Sequence, residues 1–287
     1  MPSPLVSVLT PSFNQARWLG DNLQSVRRQT YEHIEHIVMD GGSTDGSVAL
    51  LESEAGPGVA WRSEPDGGQS NAINKAFDAS HGQIIGWLNS DDAYFPRDAV
   101  QQAVDLFELY PEIGVVYGHA ALVNADGLLL QTMWAPPFNR RLLPLHNYIV
   151  QPTAFVRRNI IEGPFVDEAF DFSMDRELWL RLARRTRFTR LNRIVAIDRQ
   201  HPARKSSLPD VFEGDRRELS KRYGLVQRRT ARAELKAWKI AFRLAGLSLV
   251  REATTASLAF DGHVDSVANL VRRQTITPRA WMPGGRR

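Results

Sequence analysis

The sequence predicts an α/β fold: a mostly parallel central sheet with flanking helices, followed by a C-terminal helical extension. Three observations predict it. Short apolar runs of strand length, at residues 5–10, 34–39, 59–61 and 84–88, alternate with segments of helical periodicity. Each run leads into a polar or turn-forming cluster, as strands buried in a parallel sheet do at their carboxyl edge. Beyond residue 220 the charge changes sign: 14 Lys/Arg stand against 4 Asp/Glu, a net of +10, whereas the first 220 residues carry −6. The overall +4 therefore conceals a mildly acidic body, 1–220, and a basic extension, 221–287.

The elements follow in order. Residues 5–10 form a strand that Pro11 stops, and 14–29 a helix with Trp18, Leu19, Leu23 and Val26 on one face. The second strand, 34–39, ends at Asp40. Asp45 starts a helix carrying Val48, Leu50 and Leu51. After the third strand, 59–61, the turn-rich 64–68 precedes a helix over 69–79. The fourth strand, 84–88, runs into Asn89-Ser90-Asp91-Asp92. Right-handed crossovers then bring Thr10, Asp40 and Asp91 to one edge of the sheet. The second half is less regular: a helix at 99–110, a strand at 114–117, and a hairpin over 121–133 turning at 124–127. Short strands at 153–156 and 194–198 flank a helix over 174–185, and helices with polar breaks follow Pro209 up to a Pro-Gly-Gly-Arg-Arg tail.

Composition excludes several classes. Without cysteine there is neither a disulfide framework nor a thiolate metal site. No run of about 18 apolar residues suggests a spanning helix, and residues 1–10 do not read as a signal peptide. A cytoplasmic protein, peripheral at the inner face of a membrane, is the expectation. The basic extension asks for an anionic partner, and with no recognition motif or interleaved aromatics that partner is not expected to be nucleic acid.

The chemistry centres on Asp91 and Asp92. On an extended backbone they point to opposite sides, so one can hold a metal and the other an organic group. No P-loop occurs, and residues 10–14 contain no glycine to cradle phosphates. Carboxylates holding Mg²⁺ or Mn²⁺ would neutralise phosphates instead, and a further carboxylate with Asp40 would accept hydrogen bonds from ribose and base. The pattern suits a nucleoside diphosphate.

The runs V-S-V-L-T-P-S-F-N-Q, I-V-M-D-G-G-S-T-D-G-S, E-P-D-G-G-Q-S-N-A-I-N-K-A and L-N-S-D-D, in this order and spacing, resemble glycosyltransferase family 2. The likeness extends over about residues 5–205 and implies an inverting enzyme of the GT-A fold, with a nucleotide-sugar donor and a divalent cation. It implies that Asp92 ligates the metal and that Asp91 contacts ribose or the donor sugar. Thr10, Pro11, Asn14, Asp40 and Asp66 would line the nucleoside pocket, with Gly68, Ser70 and Asn74 also on the nucleotide-sugar side. The segment M-D-R-E-L-W-L-R-L matches the family's helix bearing the base, with Met174 in place of Glu; Asp175 would be the base and Glu177 a weaker alternative. His201, in R-Q-H-P-A-R, would reach the metal or diphosphate. Gln151, Glu177 and the 163–168 turn would face the acceptor, a saccharide or a lipid-linked one, and the likeness points to bacterial surface-polysaccharide synthesis in the cell envelope.

Two other readings compete. A sugar-phosphate nucleotidylyltransferase would need a Gly-rich basic loop after the first strand, which residues 10–17 lack. A non-catalytic nucleotide-sugar-binding or membrane scaffold would be favoured had the Asp pair or Asp175 been missing. In the extension, Arg232, Lys236, Lys239 and Arg243 form one helical stripe flanked by Leu235, Trp238, Phe242 and Leu249 and by Ile240, Leu244 and Leu247. Such a helix either packs on the body or lies in an anionic membrane surface with Trp238 and Phe242 in the lipid.

Overall fold

The computed structural model describes residues 3–204 and 211–225, together with 237–238, 240–242, 244–246 and 249. Three β-α units and a fourth strand open the chain: β1 (Val6–Ser12), α1 (Ala16–Arg27), β2 (Ile34–Asp40), α2 (Ser47–Glu54), β3 (Val59–Ser63), α3 (Gln69–Ala79) and β4 (Ile84–Trp87). Then come β5 (Ala93–Tyr94), α4 (Ala99–Leu109), β6 (Ile113–Asn124), β7 (Leu129–Met133), β8 (Phe155–Arg157), α5 (Met174–Leu182), β9 (Arg187–Gln200) and α6 (Val211–Tyr223).

The sheet order is β3-β2-β1-β4-β8-β6-β9-β5, with β7 added to β6. The half from β3 to β4 is parallel. Beyond it the sheet is mixed: β8 runs antiparallel to both β4 and β6, and β6 pairs in parallel with β9. Alternation along β1 sends Val8 to the core under α4, with Val100 and Phe107, and Leu9 to the core under α3 and α5, with Ile73, Leu178 and Trp179. β4 is buried at every position, as a central strand covered on both faces requires.

Several boundaries differ from expectation for local reasons. Pro11 does not stop β1, which pairs with β2 through Ser12. Leu9 turns its carbonyl to Leu88, so Pro11, two residues on, faces the side where β4 has already ended, and its missing N–H costs no ladder bond. α1 starts at Ala16 rather than residue 14 because Asn14 adopts a left-handed φ of 53°. The separate strand and hairpin arm expected at 114–117 and 121–124 are one strand, β6. Its turn is where the sequence placed it, with Gly127 at φ 82° and the Asn124 side chain accepting the N–H groups of Asp126 and Leu128.

The boundary at 220 falls inside α6, whose Leu219 and Tyr223 pack on the main core. The described positions from 237 to 246 are helical, and Trp238 and Phe242 also pack on that core. Phe242 contacts Trp134 at 5.8 Å and His146 at 5.4 Å between ring centroids. These rings therefore face protein, not lipid, while Ile240 and Leu244 are 53% and 65% exposed. Leu208, Pro209, Arg232, Leu235, Lys236, Lys239, Arg243, Leu247 and the terminal tail lie outside the described residues.

Candidate active site at the carboxyl edge of the parallel half

Asp40, the last residue of β2, is buried and accepts four hydrogen bonds: from the N–H groups of Gly42 (3.1 Å) and Ser43 (2.8 Å) and from the hydroxyls of Ser43 (2.5 Å) and Ser63 (2.7 Å). Its carboxylate thus shapes the 41–44 loop. Asn14 ties that loop to β1, donating its N–H to Ser43 Oγ (2.7 Å) and accepting from the Thr44 N–H (2.9 Å). Thr10 faces inward: its hydroxyl donates to the Leu88 carbonyl and accepts from His36 Nε2, both at 2.8 Å. Burial depresses His36 to about 3, so that ring is neutral and carries its proton on Nε2.

Past these strands lies an open rim. Phe13 is 60% exposed. A Cβ on Gly41 would stand 3.0 Å from Asp66 Oδ2 and 3.3 Å from the Phe13 ring, so glycine allows this close approach. Asp66 accepts the Gly68 N–H at 2.7 Å, and Gly68, at φ 102°, needs glycine's backbone freedom to start α3. Ser70 and Asn74 are buried and bind protein instead of facing this rim. Ser70 donates to the Phe170 carbonyl (3.0 Å) beside Met174 Sδ (2.9 Å). Asn74 clasps the 163–168 turn, exchanging hydrogen bonds with Val166 and donating to Glu168, all at 3.0 Å.

The Asp pair sits in a turn after β4. Asn22 of α1 fixes that turn by donating to the carbonyls of Asn89 (2.8 Å) and Asp92 (3.1 Å). Asn89 is a hub: its Oδ1 accepts from Trp87 Nε1 and Gln69 Nε2, and its Nδ2 donates to Gln151 Oε1, each at 2.9 Å. Gln151, expected on the acceptor side, is thereby buried under the Asp turn. Asp91 and Asp92 do point apart. Asp91 Oδ2 lies 2.9 Å from His201 Nε2. Asp92 is 2% exposed and its Oδ1 accepts the Arg199 N–H at 3.0 Å. His201, expected to reach the metal or diphosphate, contacts Asp91, while Asp92, expected to ligate the metal, turns inward to β9.

Behind the pair stand buried charges. Arg204 is paired with Asp198, and Arg199 donates to the Asp91 carbonyl (3.0 Å) and to Asp21 (2.8 Å). Burial, with the charges of Asp91 and Asp198, pushes the Asp92 carboxyl well above the usual range, against the pull of Arg204 and the Arg199 N–H. Trp18 covers His201 with 3.9 Å between ring centroids and donates its indole N–H to the Ala125 carbonyl at the hairpin tip (3.0 Å).

Does this donor set suit a divalent cation? The Asp91 carboxylate and the His201 imidazole, 2.9 Å apart in a direct contact, are the side chains here that could hold a divalent cation. The crowded negative charge that raises Asp92 is what a cation would relieve. Among the described residues no three His, Cys, Asp or Glu side chains form a metal-holding group. A cation held here would depend on Asp91 and His201 together with oxygens supplied by substrate phosphates and water.

Asp175 occupies the first turn of α5. Its Oδ2 accepts from Asn147 Nδ2 (2.8 Å) and its Oδ1 from the Arg176 N–H (2.6 Å). Burial raises its carboxyl above the ordinary range, and these two donors limit the rise. Glu177 is different: it is 2% exposed, accepts a hydrogen bond from the Tyr223 hydroxyl (2.5 Å) and pairs with Arg181 (3.1 Å). It holds α6 against α5. Sequence reasoning missed Phe13, Asn89, Arg199, Arg204 and Asn147. The two arginines flank His201 within R-Q-H-P-A-R, a signal that was available; Asn147 stands in an irregular stretch with none.

The chain matches the family described as Glycosyl transferase family 2 over residues 7–163. It is 35% identical over 188 residues to an uncharacterised glycosyltransferase of Mycobacterium tuberculosis, covering 63% of this chain and 70% of that protein. To the chondroitin synthase of Pasteurella multocida it is 30% identical over 196 residues, 67% of this chain but only 20% of the synthase. Among solved structures, the mannosyltransferase PcManGT of Pyrobaculum calidifontis, in complex with GDP-Man and Mn²⁺, aligns with a TM-score of 0.59 at 18% identity, over 95% of this chain and 79% of that one. The 1–349 fragment of S. aureus TarS, in complex with UDP-GlcNAc, aligns with a TM-score of 0.57 at 17% identity, over 73% and 64%. These likenesses show the GT-A fold. With more than half of its length matched to the family, the chain belongs to glycosyltransferase family 2.

Proposed function

We propose that this glycosyltransferase is inverting and moves a sugar from a nucleoside-diphosphate sugar to a hydroxyl of a saccharide or lipid-linked acceptor. One observation carries the reading: the first turn of α3 ties the Asp91 turn to the start of the Asp175 helix. Gln69 donates to Asn89 at 2.9 Å, and the next residue, Ser70, bonds Phe170 and abuts Met174. Two carboxylates of different character thus belong to one linked framework, as a single displacement between two bound substrates needs.

The nucleoside would lie on the rim of Phe13, Asn14, Gly41 and Asp66, with its base over the Phe13 ring. Both solved neighbours carry nucleoside-diphosphate sugars, which supports the donor class. Asp91 and His201 would hold a Mg²⁺ or Mn²⁺ ion, which when bound neutralises the diphosphate and favours its departure. Asp92, Arg199 and Trp18 keep the two ligands in register. Asp175 would accept the proton of the acceptor hydroxyl at a carboxylate oxygen. Its raised affinity for protons makes it a better base than an exposed carboxylate. Asn147 and the Arg176 N–H hold the carboxylate in place for that transfer.

A cell-envelope saccharide is the product class this reading favours, supported by the likeness to a chondroitin synthase and a hyaluronan synthase. Residence at an anionic membrane surface is supported by the outward Ile240 and Leu244 and by the basic sequence beyond residue 220. Among the described residues no helix is long and apolar enough to cross a membrane. The test is a screen of UDP-, dTDP- and GDP-sugars with Mn²⁺ or Mg²⁺, reading the anomeric configuration of the first product by proton NMR. Inversion supports the proposal; retention, or no turnover of any donor, sinks it.

A further inference from the structure

α6 lies outside the residues matched to the family, yet it grips the segment that carries Asp175 at three points. Arg222 pairs with Asp167 and stacks over Phe170, its guanidinium 5.0 Å from the ring centroid. Tyr223 donates to Glu177. Between these, Asp215, only 7% exposed, accepts the N–H groups of Phe172 (2.8 Å) and Ser173 (2.6 Å) on one oxygen and that of Asp171 (3.4 Å) on the other.

The middle contact matters most for geometry. Ser173 is the residue before α5, and its own side chain makes no capping hydrogen bond. The start of α5 is instead fixed from outside by the Asp215 carboxylate, a charged acceptor facing the positive end of the helix. Two residues further on is Asp175. We propose that Asp215 is a positioning residue for the transfer reaction: by fixing the backbone at Phe172 and Ser173 it sets where the Asp175 carboxylate meets the acceptor hydroxyl. The inference rests on the reading of Asp175 as the base. The donor side, built on β1, β2, β4 and β9, does not touch Asp215, so loss of Asp215 should alter turnover and leave donor binding intact. A helix that merely packed would affect both together through stability.

The test uses the full chain carrying Asp215→Ala, Asp215→Asn or Asp215→Ser, with Asp175→Asn alongside. Hydrolysis of a panel of UDP-, dTDP- and GDP-sugars with Mn²⁺ gives kcat and KM, and hydrogen exchange reports the amides of residues 172–176. Asp215→Ala should lower kcat about tenfold at unchanged KM and speed exchange at Phe172 and Ser173. Asp215→Asn, which keeps an acceptor oxygen, should stay within about twofold of wild type. Should Asp215→Ala fail to melt cooperatively, Asp215→Ser serves in its place, since its hydroxyl is too short to reach both N–H groups. Wild-type kcat and exchange in the Ala or Ser variant, or a KM that rises while kcat holds, overturns the proposal. Wild-type turnover in Asp175→Asn would sink the base assignment instead, and the exchange result would still decide whether Asp215 fixes the start of α5.

Discussion

His201 Nε2 stands 2.9 Å from Asp91 Oδ2, although 110 residues separate them, and Trp18 closes over the imidazole from the other side. The contact joins the turn after β4 to the end of β9, two strands that do not pair with each other. On the proposed function Asp91 and His201 would be the residues to hold a cation, while Asp92 accepts the Arg199 N–H and faces inward.

The first prediction separates the two aspartates. Asp91→Asn and His201→Ala should each weaken Mn²⁺-dependent binding of UDP or GDP by about a hundredfold or more, as loss of a direct ligand exceeds the 10–100-fold typical of outer-shell partners. Asp92→Asn keeps an acceptor for the Arg199 N–H and should lose less. Calorimetry of each variant with nucleotide, with and without Mn²⁺, decides. If Asp92→Asn is the more damaging, the assignment reverses.

Asp175→Asn should retain nucleotide binding and lose turnover by about 10²–10⁴-fold, the usual contribution of a positioned base. Glu177→Gln should not reproduce this pattern, because Glu177 is engaged by Tyr223 and Arg181. Loss of donor affinity in Asp175→Asn would contradict the separation of donor and base.

The pH dependence has a definite sign. Burial raises the Asp175 carboxyl, and the Asn147 hydrogen bond opposes that rise by stabilising the charged form. A base must be deprotonated, so activity should climb with pH through this raised value. Asn147→Ala removes the stabilising donor, raises the carboxyl further and moves the acid limb of kcat to higher pH. A limb that stays put, or moves to lower pH, removes Asp175 from the rate law.

Phe13→Ala should weaken nucleotide binding by about 1–3 kcal/mol, the worth of one base–aromatic stack, while Phe13→Tyr holds near wild type. The cost should be the same with UDP and GDP, since any base presents a flat face. Equal affinities for nucleotide in wild type and Phe13→Ala would leave the exposed ring unexplained.

Co-sedimentation with phosphatidylserine vesicles at low salt, with release at high salt, is the expected membrane behaviour. Ile240→Glu with Leu244→Glu should reduce it, because both side chains face outward. Trp238→Ala should act through stability instead, as Trp238 packs on the body. Equal binding to neutral and anionic vesicles would contradict the electrostatic part.

The sequence by itself determined the α/β alternation of the first 92 residues, the turn of the 124–127 hairpin, and the placement of Asp91 and His201 just after strands and of Asp175 at the start of a helix. These features are local: strand and helix periodicities repeat within a few residues, and a turn-former or a carboxylate declares itself where it stands. The tertiary structure decided the rest. Thr10, Ser70, Asn74 and Gln151 read as ligand groups in one dimension, yet their hydrogen bonds go to Leu88, Phe170, Val166 and Trp87, strangers in sequence that the crossovers bring alongside. β9 reads as a strand only over 194–198 because its length, Arg187–Gln200, is set by pairing with β6, not by its own alternation. Which aspartate meets His201 likewise depended on how the end of β9 turns toward β4, and that Asp215 holds the start of α5 depended on where α6 docks. A buried carboxylate is placed by the partners that offset its desolvation, and those partners are chosen by the fold.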